Sequence, residues 1–140
     1  MTISGWESKY REILKDFGYS RKKDNQSCKL LDSLLPKNTG VKRIRDLIEN
    51  KPVFVIGAGP SLSSCISILK KHKKITRIVA DGATKAIIEN GLKPHIVITD
   101  LDGEIKSLKK AGGTNTIMVV HAHGDNIEKL HFVKNFKNCI

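Results

Sequence analysis

The sequence predicts an α/β fold: a parallel sheet with helices on both faces, preceded by a helical N-terminal segment. Two observations carry this. Four short, continuous apolar runs follow Pro52, namely Val53–Ile56, Arg77–Ala80, His95–Thr99 and Thr116–Val120. Runs of that kind mark strands buried on both faces. Helical stretches near Leu62–His72, Thr84–Asn90 and Glu104–Ala111 separate them. Regular alternation of strand and helix is most economically satisfied by a parallel sheet wound with helices.

The elements before Pro52 read differently. Trp6, Tyr10, Ile13, Leu14 and Phe17 recur at three- and four-residue steps and give one helix an apolar face, ended at Gly18. A polar stretch, Ser20 to Ser27, is followed by an apolar cluster, Leu30–Leu35, closed by Pro36. Val41–Glu49 reads as a further helix, stopped ahead of Pro52. The expected organisation is therefore a helical segment over 1–52 and an α/β domain over 53–140.

Composition narrows the function classes. A chain of 140 residues with 39% hydrophobic and 28% charged content has the make-up of a globular domain with a real core. No apolar run approaches the roughly 20 residues needed to cross a bilayer, and the first ten residues lack a signal-peptide pattern, so the expected location is cytoplasmic. Cys28, Cys65 and Cys139 are odd in number and far apart, which gives neither a disulfide framework nor a thiol zinc site. The net charge of +11 would suit nucleic acid, but the lysines are spread over every segment. Aromatic residues make up only 5% and do not interleave with the basic clusters, so stacking platforms are missing. A basic surface that attracts an anionic small molecule is the preferred reading, and the composition leaves a homo-oligomer open.

Each run ends in polar or glycine residues, and in open parallel sheets ligands bind beyond the carboxyl ends of the strands. Gly57-Ala58-Gly59-Pro60-Ser61 joins the first strand to a helix. Its glycines permit close approach of a ligand, the helix start offers free N–H groups, and Ser61 can cap the helix or meet a phosphate oxygen. It is not a Walker A loop, since no Gly-Lys-Ser/Thr follows. A dinucleotide fingerprint would need glycine where Leu62 stands, although Asp81 sits where a ribose-binding acid is expected. A nicotinamide-dependent oxidoreductase is thus the alternative. Asp100 and Asp102, two residues apart beyond the third strand, argue against it: on an extended segment both carboxylates face one side and suit Mg²⁺. Asp81-Gly82-Ala83-Thr84 adds a third carboxylate that either caps the next helix or reaches the site. In His121-Ala122-His123-Gly124-Asp125-Asn126, a zinc pair lacks a third soft ligand. One histidine facing phosphate or assisting proton transfer is expected instead, with Asp125 and Asn126 suited to a polar heterocycle or to the water shell of a metal.

Taken in order, Val55–Leu62, Ala80–Thr84, Pro94–Gly103 and Val120–Asn126 resemble the archaeal 6-hydroxymethyl-7,8-dihydropterin pyrophosphokinase family, itself distantly similar to thiamin pyrophosphokinases. The resemblance implies a Rossmann-like domain with ATP as co-substrate, Mg²⁺ as cofactor and a hydroxymethyl-dihydropterin as acceptor, in folate or methanopterin biosynthesis. It implies phosphate contacts from Gly57, Gly59 and Ser61, metal contacts from Asp100 and Asp102, and a substrate end lined by Asp81, His123 and Asp125, with Asp81, Gly82, Asp125 and Asn126 as further expected cofactor-binding residues. Asp100, Asp102 and His123 are the expected catalytic residues. Family members extend past the last motif, so a chain ending at Ile140 is expected to be truncated at its C-terminus. Related blocks in bacterial motility-associated factors keep a third reading, a non-catalytic nucleotide-binding or glycan-modification accessory protein.

Overall fold

The computed structural model describes residues 4–36 and 40–140. The chain forms α1 (Trp6–Asp16), α2 (Arg21–Leu34), α3 (Val41–Ile48), β1 (Val53–Ile56), α4 (Leu62–Lys71), β2 (Thr76–Ala80), α5 (Asp81–Glu89), β3 (Ile96–Thr99), α6 (Ile105–Gly112), β4 (Ile117–Val120) and a 3-10 segment (Ile127–Asn135). The four strands pair in parallel in the order β1-β2-β3-β4. Beyond the 3-10 segment, Asn138–Ile140 run along the outer edge of β4: the Met118 N–H donates to the Asn138 carbonyl at 2.8 Å and the Ile140 N–H to the Met118 carbonyl at 2.9 Å.

This order explains the layering. Right-handed crossovers between sequential neighbours place every connecting helix on the same face. On that face Ile56, Val79, Val97, Met118 and Val120 form one core with Leu69 of α4, Ala83 and Ile87 of α5, Leu108 and Ala111 of α6, and Leu130 of the 3-10 segment. The other face carries α3 over the amino ends of the strands. There the Thr76 hydroxyl donates to the Leu47 carbonyl at 3.0 Å, and Ile117 shares a cleft with Lys42 and Arg43. Helices therefore occupy both faces, as expected, but unequally: Val55 is 79% and Ile98 49% exposed on the second face.

Two elements differ from the sequence reading. The polar stretch Ser20–Ser27 is not a connector but the first half of α2, continuous with the apolar cluster after it. Only Ser27 and Leu31 of this helix are buried, so its solvated first turns carry no apolar period to reveal them. Leu31 joins the central core. Helix α5 begins at Asp81, three residues ahead of the expected Thr84, because the chain turns into helix directly from the end of β2.

Candidate functional site

The carboxyl ends of the strands bring all four polar clusters to one edge, and hydrogen bonds or close contacts link each loop to the next. Between the first and second loops the approach is tight: a Cβ on Gly82 would lie 3.4 Å from that of Ala58. Asp81 then ties the second loop to the third. One of its oxygens accepts the Gly82 N–H at 2.6 Å, and the other accepts the Thr99 hydroxyl and the Gly103 N–H, each at 3.2 Å. Its carboxylate therefore holds the Asp100–Gly103 turn against the start of α5. A Cβ on Gly103 would lie 3.0 Å from the Asp81 Cβ and 3.1 Å from its backbone, so glycine lets the two loops pack closely there.

The Asp100-Leu101-Asp102 turn is not extended. Leu101 lies at φ 69°, a left-handed conformation that a leucine adopts only when its surroundings impose it. Its side chain is 1% exposed and anchored in the core. Burial of Leu101 and the hydrogen bond from its N–H to the Thr99 hydroxyl at 2.8 Å hold the turn. Asp100 and Asp102 stay at the surface on either side of this anchor, with side chains 40% and 62% exposed. Asp100 also accepts the Asp102 N–H at 3.3 Å.

The third and fourth loops are joined by Asn126, which is 2% exposed. Its amide nitrogen donates to the carbonyls of Asp100 and His121, both at 2.8 Å, and its oxygen accepts the His123 N–H at 3.0 Å. Two carbonyls can face only the nitrogen end, so the amide orientation is set by chemistry. Asn126 therefore braces the loops from beneath rather than presenting its amide to solvent.

His123 pairs with Asp125 through Nδ1, and its Nε2 lies 3.8 Å from an oxygen of Asp100. His121, its ring 5.1 Å from that of His123, borders a shallow depression of about 230 Å³ with Asp81, Ile98, Thr99 and Asp100. Lys129, which the sequence reading did not single out, pairs with Asp102. That hydrogen bond raises the lysine above its ordinary pKa, and the charges of Asp102, Asp100 and Asp125 add to it. It lies in the 3-10 segment just after the His121–Asn126 motif, and only tertiary placement aims it at the carboxylates.

Gly57 and Gly59 have negative or extended φ angles, and a Cβ at either would meet nothing within 4 Å. The packing of this chain therefore does not require glycine at these positions. What a side chain would occupy is open space over the sheet edge. Ser61 precedes α4 without a side-chain hydrogen bond to the helix start, and the Leu62 N–H, the first of α4, donates to the Gly59 carbonyl at 3.0 Å. Among the described residues no three His, Cys, Asp or Glu side chains converge into a closed metal site. Asp100 and Asp102 instead present separate, partly exposed hard-oxygen groups on one turn, donors of the kind that suit Mg²⁺, which retains waters and phosphate ligands.

Comparison with known proteins accords with these motifs. The family model described as 6-hydroxymethylpterin diphosphokinase MptE-like matches residues 29–140. Proteins named 6-hydroxymethyl-7,8-dihydropterin pyrophosphokinase are similar along nearly the whole chain. That of Methanocaldococcus jannaschii is 42% identical, with 100% of this chain and 61% of the relative aligned. That of Pyrococcus furiosus is 43% identical over 94% of this chain and 57% of the relative. That of Methanothermobacter thermautotrophicus is 38% identical over 93% and 56%. The chain thus spans about three-fifths of the length of the curated relatives it matches. No helix among the described residues is long and apolar enough to cross a membrane.

Proposed function

The chain belongs to the 6-hydroxymethylpterin diphosphokinase MptE-like family, and on that premise we propose that it supplies the ATP- and Mg²⁺-binding edge of a pyrophosphokinase acting on 6-hydroxymethyl-7,8-dihydropterin. The observation that carries this is the combination on one sheet edge of an unfilled glycine loop and a partly exposed pair of aspartates. Gly57, Gly59 and Ser61, just ahead of α4, suit phosphate oxygens. Asp100 and Asp102 would hold Mg²⁺, which supplies neutralisation of charge on the phosphate oxygens.

In the reaction proposed, the hydroxymethyl oxygen of the pterin attacks the β-phosphorus of ATP. The bond from that phosphorus to the oxygen bridging it to the α-phosphorus breaks, AMP departs with the bond electrons, and the hydroxyl proton is released. Reactions of this kind depend chiefly on positioning and charge compensation. Lys129 is placed to meet the transferred group once Asp102 is otherwise engaged. His123, paired with Asp125 and facing Asp100, would accept the hydroxyl proton. Asp81 borders the depression beside Asp100 and His121. The alternative of a nicotinamide enzyme is weakened by Asp81, whose two oxygens already accept three hydrogen bonds within the chain.

Calorimetric titration with a non-hydrolysable ATP analogue tests the proposal. Mg²⁺-dependent binding, abolished in Asp100→Ala, is expected. Binding that is indifferent to Mg²⁺ and to Asp100→Ala would refute the assigned site, and NADH binding in its place would favour the oxidoreductase.

A further inference from the structure

We infer that Asp24, on the first turn of α2, is a positioning residue for the candidate site, fixing the His121–Asn126 loop from outside the sheet. The carboxylate is half-buried, and each oxygen has its own task. One accepts the Gly124 N–H at 2.8 Å, across 100 positions of sequence. The other accepts the Tyr10 hydroxyl of α1 at 2.6 Å. Approach is close enough that a Cβ on Gly124 would lie 2.7 Å from the Lys23 Cβ. Glycine at 124 is thus the counterpart of α2 docking, and Asp24 is the polar contact that gives the docking its register.

The consequence follows from chain geometry. Gly124 lies between His123 and Asp125, whose side chains pair with each other. Asn126 grips this loop through the His123 N–H, and Asp24 grips it through the N–H of the next residue. With both held, the loop has little freedom to turn His123 away from Asp100. The helical segment before the sheet, which carries no motif of its own, thereby becomes part of the support of the site. The effect on ligand binding rests on the function proposed above; the effect on the loop does not.

Two measurements separate those statements. In ¹⁵N-labelled protein, Asp24→Ala is expected to speed exchange of the Gly124 amide about tenfold or more and to move the His123 ring resonances, while β2 and β3 amides stay protected. Asp24→Asn, which keeps an acceptor, should restore most of the parent behaviour. Gly124→Ala should reproduce the loss, because its methyl group drives α2 away, and it carries the same test if Asp24→Ala does not fold. Unchanged Gly124 exchange and His123 resonances in a folded Asp24→Ala protein would overturn the inference. With the non-hydrolysable ATP analogue and Mg²⁺, Asp24→Ala should bind about tenfold more weakly, the effect usual for a partner that orients a ligand-contacting group, and Asp24→Asn should bind nearly as the parent. If the parent itself fails to bind the analogue, the functional proposal falls while the amide and ring measurements still decide the role of Asp24.

Discussion

Replacing Asn126 by aspartate alters one atom and no shape, and so isolates what the buried amide contributes. In the parent, the amide nitrogen meets two carbonyl oxygens at 2.8 Å, those of Asp100 and His121. In Asn126→Asp an oxygen takes that place, and two donated hydrogen bonds become two oxygen–oxygen contacts. Losing the two bonds costs about 2 kcal/mol, and leaving their part-buried acceptors without a donor adds about 1 kcal/mol. Ionisation of the new carboxylate beside Asp100 and Asp125 raises the cost further. The expected loss near neutral pH is thus about 3 kcal/mol, or roughly 10 °C in Tm for a chain of this size. Protonation would let the new side chain donate one hydrogen bond, so the loss should shrink as the pH falls through the carboxylate range. Urea unfolding of parent and variant across pH checks this. A loss below about 0.5 kcal/mol at neutral pH, the range of an ordinary surface substitution, would show that Asn126 does not brace the two loops.

The exposed carboxylates should behave oppositely. Asp102→Ala is expected to change unfolding free energy by less than about 0.5 kcal/mol while abolishing Mg²⁺-dependent analogue binding; large destabilisation would assign Asp102 to the fold instead. His95 accepts the Arg77 N–H on Nδ1 at 3.0 Å, and burial first, then the charges of Arg77 and Lys93, lower its pKa below 6.5. The unfolded chain therefore binds more protons, so the stabilisation is complete above pH 6.5 and lost as pH falls through the depressed value. His95→Gln should remove that step from a plot of stability against pH. Burial pushes the Cys139 thiol up to about 11, whereas Cys28 and Cys65 are exposed. A thiol reagent should modify the latter two in the folded protein and Cys139 only on unfolding; rapid modification of all three would contradict the packing of the C-terminal strand against β4.

Much of this molecule is legible along the chain because its signals are local. A parallel strand buried on both faces must be apolar without interruption, so Val53–Ile56 and its three successors declare themselves, as do the polar residues that end each one. Sheet topology then carries Gly57, Asp81, Asp100 and His121 to one edge whatever the details of packing. Helix α2 was less legible, since a helix that buries only Ser27 and Leu31 gives its first turns no apolar period.

What the tertiary structure decided is how those residues divide their work. Extended geometry would make Asp100 and Asp102 neighbours on one side of a strand, yet the buried, left-handed Leu101 turns the chain between them. Asp81 and Asn126 look like ligand contacts in sequence, yet most of their hydrogen-bonding capacity goes to backbone groups of adjoining loops. Asp24 and Lys129 carry no motif, yet they reach Gly124 and Asp102. Strand and helix periodicity, together with the strand-end motifs, determined the fold class and the edge where chemistry belongs, because those depend on residues close in sequence. The assignment of bracing and exposed roles depends on hydrogen bonds across up to 100 positions, and only the folded chain brings those partners together.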